Sequence, residues 1–430
     1  MNKAELQALL SFYQKELKEN ILFFWLPRCV DSKNGGFFNC FDNSGRTLVS
    51  SDKYTWSQGR FVWIWTKLAA MQGGTFSSNE KALFLQYAKQ GRDFLFRHCL
   101  IGRDDWRCVF LMDAKGNPKY VNAVDVLDSS IFADCFVTAG FALSSAVTGD
   151  AESWDFAKNL YTSICGRIQQ NTFNSLPYPL GEGYRMHSIP MIATNLSCEM
   201  YRAAQIMEPG SCPEYAADIH RFSSDILNHF VDSKNILHEI ISKDNTFADG
   251  LLGDHINPGH TLEDMWFQLD AADILEEPQR LDKISKIAKN AFELGWDAVH
   301  GGYLHFTDSN GGEILGRFED DPCKEPQLRQ VYDDWDSKLW WVHSEALYTS
   351  LLLYFRTNDP QFLSYYSRAA AYVFQTFPSK DPSIREWEQI RTRDGKPLEK
   401  VVALPVKDPY HIIRNFILII ELLEQELARA

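Results

Sequence analysis

Asp31-Ser-Lys-Asn-Gly35-Gly36-Phe37, followed by Asp42, has a near copy in Asp297-Ala-Val-His-Gly301-Gly302-Tyr303, followed by Asp308. Both follow the pattern D-x-x-x-G-G-[FY]-x-x-x-x-D, so one local structure is used twice. Short aromatic and β-branched runs that end in Asp, Asn and Gly are typical of β-hairpins. The two copies therefore predict matching hairpins at two distant places in the chain.

Most of the remaining sequence shows helical periodicity, in which apolar residues recur at i, i+3 and i+4. Such patterns begin, for example, at Leu6, Phe61 and Ala346. Further turn signals lie near residues 113–116, 177–183, 244–245 and 394–395. Together with the two hairpins they mark six units of roughly 72 residues, each long enough for two helices and their connections.

Six helix pairs predict an all-α fold, an (α/α)6 barrel with short β-hairpins in the inter-helix loops. An irregular helical array in two lobes is the alternative. No linker rich in Pro or Ser and no block of like charges divides the chain. Residues 1–430 are therefore predicted to form a single domain.

The composition is that of an ordinary globular protein, with 45% hydrophobic and 23% charged residues. The 43 basic and 57 acidic residues give a net charge of −14, which argues against a nucleic-acid partner or an anionic membrane surface. The 12 Trp, 17 Tyr and 29 Phe suit a core and also a pocket that stacks on sugar rings.

The cysteine pattern indicates a reducing compartment. Nine cysteines are scattered between Cys29 and Cys323 without a CxxC pair, so neither a disulfide framework nor a zinc ribbon is expected. The first residues begin an amphipathic helix rather than a signal peptide. No apolar run approaches the ~18 residues of a membrane span. The sequence predicts a cytoplasmic protein without a membrane partner.

The first segment with candidate chemistry runs from Asp52 to Arg60 and continues into Phe61-Val62-Trp63. Gln58 and Arg60 fall at a predicted helix start among several aromatic residues. A guanidinium there can donate two hydrogen bonds to an oxyanion that develops during a reaction. The alternative is an arginine that only packs on tryptophan faces.

The second segment is Asn257-Pro258-Gly259-His260-Thr-Leu-Glu263. Asn-Pro-Gly is a turn, so His260 lies in the first turn of a helix, where the helix dipole favours a neutral imidazole. Glu263 lies at i+3 on the same side, and we expect its carboxylate to orient His260. A structural histidine and a metal ligand are the alternatives, although no HExxH pattern supports a metal.

The third segment is Lys338-Leu-Trp-Trp341-Val-His343-Ser-Glu345. Glu345 follows an aromatic pair on a helix that soon becomes purely apolar, which makes it a candidate partner of a catalytic histidine. A capping or surface glutamate is the alternative. His343 falls on another helical face and is interpreted as structural.

The fourth segment, Lys407-Asp-Pro-Tyr410-His411-Ile-Ile-Arg414, precedes the last helix. His411 and Arg414 lie at i, i+3 where a loop becomes a helix, as His260 and Glu263 do. Two histidines at helix starts, among only 11 in the chain, suggest two imidazoles that face one pocket from opposite sides.

Two opposed imidazoles suit the inversion of a carbon next to a carbonyl. One removes the proton from one face and the other supplies a proton to the opposite face, and the pKa of histidine suits both tasks. The enediolate-like intermediate needs cationic or hydrogen-bond donors, a role open to Arg60 and Arg414. The residues thus favour epimerisation or isomerisation over hydrolysis.

With these segments in view, nearly the whole chain resembles the N-acylglucosamine 2-epimerase family, also known in animals as renin-binding protein. The resemblance implies an (α/α)6 barrel and interconversion of N-acetylglucosamine and N-acetylmannosamine. It further implies that His260 and His411 form the acid/base pair, that Glu263 and Glu345 support them, and that Arg60 acts beside the reacting end. The residues that it assigns to substrate binding are Tyr54, Gln58, Asn195, Trp341, Trp387 and Arg414.

The family implies no metal and no redox cofactor. Some members use ATP as an activator that is not consumed, and homodimers are frequent. The sequence contains no P-loop and leaves both the ATP requirement and the homodimer open. The predicted partner is a small-molecule sugar.

One feature separates branches of the superfamily, and another departs from the pattern of the family itself. Relatives that act on cellobiose or mannose usually carry a third pocket histidine in the segment that here reads Pro190-Met-Ile-Ala-Thr-Asn195, and His187 upstream does not match it. The family's Gly-Glu-Trp-Phe-Gly-Tyr hairpin appears here as residues 385–390, Arg-Glu-Trp-Glu-Gln-Ile. We hypothesise that Glu388 or Arg391 of this altered hairpin contacts a different sugar substituent.

Three alternative functions follow from these features. The first is a 2-epimerase or aldose–ketose isomerase of unacetylated sugars such as mannose, glucose or a disaccharide. The second is a non-catalytic carbohydrate- or protein-binding barrel, which retention of both histidines and both glutamates argues against. Glycoside hydrolysis needs two carboxylic acids that flank a bond, and His411 in place of one acid argues against it.

Overall fold

The computed structural model describes residues 1–121, 126–179, 181–315 and 326–430. Its α-helices, in chain order, are α1 (Lys3–Lys15), α2 (Leu22–Trp25), α3 (Thr55–Ala70), α4 (Ser78–His98), α5 (Ile131–Thr148), α6 (Ala151–Gln170), α7 (Ser188–Met207), α8 (Cys212–Asp225), α9 (Leu251–Asp254), α10 (Pro258–Ile274), α11 (Arg280–Leu294), α12 (Pro326–Asp334), α13 (Trp340–Thr357), α14 (Pro360–Thr376) and α15 (Tyr410–Arg429). Short π-helical segments follow α1 and α8, at Glu16–Ile21 and Ile226–Phe230, and a 3-10 turn spans Pro209–Ser211.

The helices form two concentric layers. Within the described residues, the inner ring packs in the order α3, α5, α7, α10, α13 and α15, and α15 returns to α3. Each inner helix also packs on an outer one, in the pairs α3–α4, α5–α6, α7–α8, α10–α11, α13–α14 and α15–α1. This closed ring of helix pairs confirms the predicted (α/α)6 barrel.

The two layers differ in their polarity because inner helices are buried on every side. α5 is long and apolar enough to cross a bilayer, but it lies in the inner ring and is mostly buried by its neighbours. Outer helices such as α11 bury only one face, with Ile284, Ile287 and Ala291 turned inward. The described cysteines, from Cys29 to Cys212, are all free thiols, and Cys323 lies outside the described residues.

The strands are short and lie in the connections that lead into the inner helices. They are β1 (Lys53–Tyr54), β2 (Leu100–Gly102), β3 (Asp105–Cys108), β4 (Leu111–Met112), β5 (Pro118–Lys119), β6 (Tyr184–Met186), β7 (Ile240–Ser242), β8 (His255–Ile256), β9 (Thr307–Asp308), β10 (Lys338–Leu339) and β11 (Ile390–Arg391). All pairings are antiparallel: β1–β4–β5, β2–β3, β6–β7, β8–β9 and β10–β11. In β6–β7, Met186 lies opposite Ile240 and Tyr184 opposite Ser242.

The first copy of the repeated stretch is held in place by the start of α3. Lys53 Nζ lies 2.8 Å from Asp31 Oδ2, and both side chains are buried. Gln58 accepts a hydrogen bond from the Phe37 amide at 2.8 Å and donates one to the Phe37 carbonyl at 2.9 Å. A Cβ on Gly36, which has φ +71°, would lie 2.7 Å from Gln58 Oε1, so this close approach requires glycine.

The second copy is held in the same way by the start of α13. Lys338 Nζ lies 3.0 Å from Asp297 Oδ2, and the Tyr303 amide donates to His343 Nε2 at 2.9 Å. His343 thus occupies the place of Gln58, five residues after the buried lysine, which agrees with its interpretation as structural. A Cβ on Gly302 would lie 2.8 Å from His343 Nε2.

Candidate active site

A cavity opens at the end of the barrel where the inner helices begin. The first two turns of all six inner helices contribute to its wall: Trp56 and Arg60, Phe132 and Phe136, Met191 and Ile192, His260 and Glu263, Trp340 and Trp341, and His411 and Arg414. Helix N-termini carry partial positive charge. Their convergence favours a substrate on which negative charge develops during the reaction.

His260 is the third residue of α10 and is positioned by its backbone and by a carboxylate. The side chain of Asn257 caps the helix and accepts a hydrogen bond from the His260 amide at 3.1 Å. The imidazole Nδ1 lies 2.7 Å from Oε1 of Glu239, a buried residue outside α10. The prediction that Glu263 orients His260 is therefore wrong.

Glu263 instead belongs to the surroundings of the second histidine. Its Oε1 accepts a hydrogen bond from Arg414 Nη2 at 2.5 Å and lies 3.7 Å from His411 Nδ1. One helical turn separates Glu263 from His260 on α10, and over that distance the two side chains diverge toward different partners.

His411, the second residue of α15, rests on the carboxylate of Glu345. Its Nδ1 lies 2.7 Å from Glu345 Oε1, and its Nε2 lies 3.4 Å from Arg60 Nη2. Burial lowers the pKa of His411 to about 3; Glu263 opposes this shift, and the cations of Arg60 and Arg414 add to it. His411 is therefore neutral near pH 7, with Nδ1–H toward Glu345 and the Nε2 lone pair toward Arg60.

Glu345 is fully buried and its carboxylate is saturated with donors. Oε1 receives hydrogen bonds from His411, from Arg414 Nη2 at 2.6 Å and from Asn415 Nδ2 at 2.8 Å. Oε2 receives one from Trp266 Nε1 at 2.9 Å. This network fixes the orientation of His411, because every donor points at the same anion.

Arg414 pairs with both acidic side chains under His411. Burial alone would lower its pKa, but the carboxylates of Glu345 and Glu263 outweigh burial and raise it. Ligand atoms of Glu263, Glu345 and His411 lie within 4.8 Å of one another, an arrangement that can hold a metal ion. Arg414 Nη2 donates to both carboxylates from 2.5 and 2.6 Å, so a guanidinium already meets the cation requirement of this cluster.

Arg60 forms the opposite edge of the His411 pocket. Its Nη1 donates to Asp408 Oδ2 at 2.7 Å, and the guanidinium lies over the rings of Phe136, Trp56 and Tyr410 at 4.1, 5.1 and 4.7 Å. Burial lowers the pKa of Arg60, and Asp408 opposes that shift. Arg60 thus both packs on aromatic rings, as the alternative interpretation expected, and presents a cation to the cavity.

Trp341 lies between the two histidines. Its ring centroid is 5.2 Å from that of His260 and 5.7 Å from that of His411. A Cβ on Gly259 would lie 2.5 Å from a Trp341 ring carbon, which explains the glycine before His260. The histidines therefore stand on α10 and α15, on either side of α13, rather than directly opposite each other in the ring.

Four of the residues assigned to substrate binding lie outside this cavity. Both hydrogen-bonding groups of Gln58 bond to the backbone of Phe37. The ring of Tyr54 packs edge-on against that of Phe110, with their centroids 5.6 Å apart. Asn195 lines a different cavity at the far end of the barrel. Trp387 is fully buried in the core. None of the four lines this cavity, so the geometry does not support their predicted contact with substrate, which stays a prediction.

The altered hairpin at 385–391 also turns its charges away from the cavity. Arg391 donates to the Phe377 carbonyl and to Glu388 Oε2, both at 3.3 Å, and to the Gly395 carbonyl at 2.9 Å. Of residues 385–391, Ile390 lines the cavity wall. The hypothesis that Glu388 or Arg391 contacts a sugar substituent is therefore not supported.

A family model for N-acylglucosamine 2-epimerase (GlcNAc 2-epimerase) matches residues 36–415. The chain belongs to this family. It is 30% identical over 415 residues to N-acylglucosamine 2-epimerase of Homo sapiens, which covers 96% of this chain and 89% of that protein. It is 29% identical over 419 residues to the Bos taurus protein of the same name, which covers 96% of this chain and 90% of that protein.

A solved structure of cellobiose 2-epimerase from Bacillus thermoamylovorans shares the fold, with a TM-score of 0.77 at 20% identity over 96% of this chain and 99% of that one. Together with the family match, it confirms the predicted family and fold. Membership of the N-acylglucosamine 2-epimerase family also confirms that the chain is an enzyme of the carbohydrate epimerase and isomerase class.

Sequence reasoning missed Glu239 and the pairing role of Asp408. Glu239 lies within the run Leu237-His-Glu-Ile-Ile241, just before β7, where an acidic residue beside apolar ones signals a buried partner. Asp408 lies three residues before His411, but nothing in the local sequence indicates that its partner is Arg60 on another helix. Both contacts join residues that are distant in sequence.

Proposed function

We propose that this epimerase-family protein interconverts N-acetylglucosamine and N-acetylmannosamine by proton transfer at C2 of the open-chain sugar. The observation that carries the proposal is the pair of imidazoles on either side of Trp341. Each one has Nδ1 on its own carboxylate, which leaves each Nε2 to exchange protons with a substrate in the cavity.

In the proposed reaction one imidazole Nε2 takes the proton from C2. The electrons of the broken C–H bond form a C1–C2 double bond, and the carbonyl oxygen becomes the oxyanion of a 2-acetamido enolate. The other histidine, in its imidazolium form, returns a proton to the opposite face of C2, and the carbonyl reforms. Arg60 supports the oxyanion, since its guanidinium lines the cavity beside His411 Nε2.

The cavity has a polar half and an apolar half. His260, His411 and Arg60 lie on α10, α15 and α3, whereas α5 and α7 contribute Phe132, Phe136, Met191 and Ile192. An acetamido methyl group gains from apolar contact of this kind. Met191 and Ile192 lie in the segment where relatives that act on unacetylated sugars usually carry a third histidine. The apolar residues in this chain favour the N-acyl substrate.

The deciding experiment is proton NMR of the purified protein with N-acetylmannosamine in deuterated water. We expect N-acetylglucosamine with deuterium at C2, which identifies the substrate and the proton transfer together. Parallel reactions with mannose and cellobiose test the unacetylated alternative. Turnover of either sugar without turnover of N-acetylmannosamine would overturn the proposed substrate.

The same experiment with and without ATP tests the nucleotide as an activator that is not consumed. Equal initial rates in the two samples would remove ATP from the proposal. Silence with all three sugars in both samples would favour the non-catalytic barrel instead.

A further inference from the structure

A buried array of charged groups lies directly behind His260, away from the cavity. Glu239 Oε1 contacts His260 Nδ1 at 2.7 Å, and Glu239 Oε2 lies 3.9 Å from His187 Nδ1. His187 Nε2 in turn lies 3.1 Å from Asp264 Oδ2. The side chains of Glu239, His187 and Asp264 are at most 3% exposed, and none of the three lines the cavity.

Local structure fixes the array independently of any substrate. The antiparallel pairing of β6 with β7 brings Glu239 beside His187, and the His187 amide donates to the Glu239 carbonyl at 2.9 Å. Asp264 follows His260 by four residues, one helical turn along α10. Asp264 Oδ1 accepts a hydrogen bond from Gln268 Nε2 at 3.1 Å, so its second oxygen is also satisfied.

The order of carboxylate, imidazole and carboxylate determines the protonation state of His187 and Glu239. Burial opposes protonation of His187, but Asp264 and Glu239 outweigh it and raise the pKa of His187 to about 9. Burial likewise opposes ionisation of Glu239, but His260 and His187 hold its pKa well below the usual range. Near neutral pH, an imidazolium therefore separates two carboxylates.

Three other titratable groups near Glu239 are neutral and do not supply a cation beside it. Burial lowers the pKa of His255, and burial together with His260 lowers the pKa of His305 to about 3. Both are therefore neutral near pH 7. Burial raises the pKa of Tyr178, which lines the cavity, to about 12, so this phenol is neutral as well.

We infer that Glu239 is the positioning residue of His260 and that His187, anchored on Asp264, keeps Glu239 ionised. Glu239 holds the Nδ1–H of His260, so that Nε2 is the nitrogen presented to the cavity. The inference rests on the proposed function in so far as His260 is an acid/base group there.

The His411 side of the site has the same three-part design, which supports this assignment. There Glu345 holds His411 Nδ1, and Arg414 supplies the cation that pairs with the Glu345 carboxylate. Glu239 and His187 do the same for His260, with an imidazolium in place of a guanidinium. A buried carboxylate that contacts a histidine needs such a cation, because an unpaired buried charge is strongly destabilising.

The first test follows the imidazole of His260 by 15N NMR in the free protein, with the signal identified by its loss in His260→Asn. In the wild type we expect a proton on Nδ1 and none on Nε2 at alkaline pH. Glu239→Gln should move the titration of His260 down by about one to three pH units, the shift that an adjacent opposite charge produces. Glu239→Asp keeps the charge, so its His260 should titrate close to the wild-type pH.

The second test is kinetic. Glu239→Gln should lower kcat by about 10- to 100-fold, by analogy with the loss of a carboxylate that orients a metal-bound histidine, with KM changed by less than about threefold. Glu199→Gln is the matched control: Glu199 lines the far cavity and accepts a hydrogen bond from Trp63 Nε1 at 2.9 Å, which an amide oxygen also accepts. The control should keep the wild-type kcat and His260 titration.

The outcomes separate this inference from the proposed function. An unchanged His260 titration and kcat in Glu239→Gln would overturn the positioning role even if the wild type epimerises its sugar. If the His260 titration shifts in Glu239→Gln but the wild type turns over none of the three sugars, the positioning role stands and the proposed function is wrong. If the titration of His260 is unchanged in His187→Gln, His187 does not support Glu239.

Discussion

His343 offers a stability test that follows from the two copies of the repeated stretch. It is fully buried, donates from Nδ1 to the Leu339 carbonyl at 2.7 Å and accepts the Tyr303 amide at Nε2. Gln58 does the corresponding work for Phe37 in the first copy. His343→Gln therefore replaces a side chain with one that the same local structure already uses.

The effect of His343→Gln on the free energy of unfolding depends on pH, because His343 binds a proton less readily in the folded state. Burial lowers the pKa of His343 to about 3, whereas an unfolded histidine has a pKa of about 6.5. The folded state therefore binds fewer protons between these values, and stability is lost as the pH falls from about 6.5 toward 3. At about pH 5 the difference in proton binding costs the folded state about 2 kcal/mol, and near pH 7 it costs about 0.2 kcal/mol.

Urea unfolding of wild type and His343→Gln at both pH values measures this difference. We expect His343→Gln to gain about 2 kcal/mol relative to wild type between about pH 7 and 5, whatever its cost near neutrality. His220→Gln is the control, because His220 is exposed and solvated in the folded protein. The same wild-type-to-variant difference at both pH values would refute the reasoning.

Three substitutions test the site itself by kcat and KM for the epimerised sugar. His411→Gln should lower kcat at least about 100-fold while the far-UV circular dichroism spectrum is kept; full turnover would contradict the two-histidine scheme. Arg60→Lys should lower kcat about tenfold, because a single ammonium cannot serve Asp408 and the oxyanion together, and an unchanged kcat would exclude that role. Gly259→Ala should lower kcat/KM about tenfold or more by displacing Trp341, whereas Gly74→Ala, with open space around the new Cβ, should match wild type.

Much of the fold was predictable because its signals are local. Helical periodicity and the repeated D-x-x-x-G-G stretch are each contained within about a dozen residues, and together they predicted the barrel and its hairpins. That residues 1–430 form one domain stays a prediction. Gln58 shows the limit of local reading: it stands beside Arg60 among aromatics, but the backbone of Phe37 takes both of its hydrogen-bonding groups.

The placement of the site was predictable to a similar extent, but its partners were not. Spacing put His260 and His411 at helix starts, and the structure brings both to one cavity. The i, i+3 rule then assigned Glu263 to His260. Glu239, 21 residues upstream, takes that place, because the pairing of β6 with β7 decides which carboxylate reaches the ring. Such a contact depends on tertiary packing, which no local spacing reports.

The convergence of the charged residues has a simple geometric origin. Arg60, Glu263 and Glu345 are each the sixth residue of their inner helix, and Arg414 is the fifth of α15. Because all inner helices of the ring begin at the same end of the barrel, equal positions along them lie at equal depth.

The side chains of these four residues meet at this depth and surround His411. Arg414 bridges Glu263 and Glu345, Glu345 holds Nδ1 of His411, and Arg60 faces its Nε2. On α5 the sixth position is Phe136 and on α7 the fifth is Ile192, which makes the remaining third of this layer apolar. The depth of a residue along its helix thus decides that it reaches the site. In the proposed reaction, the helix that carries the residue decides whether it meets the reacting end of the sugar or its acetamido group.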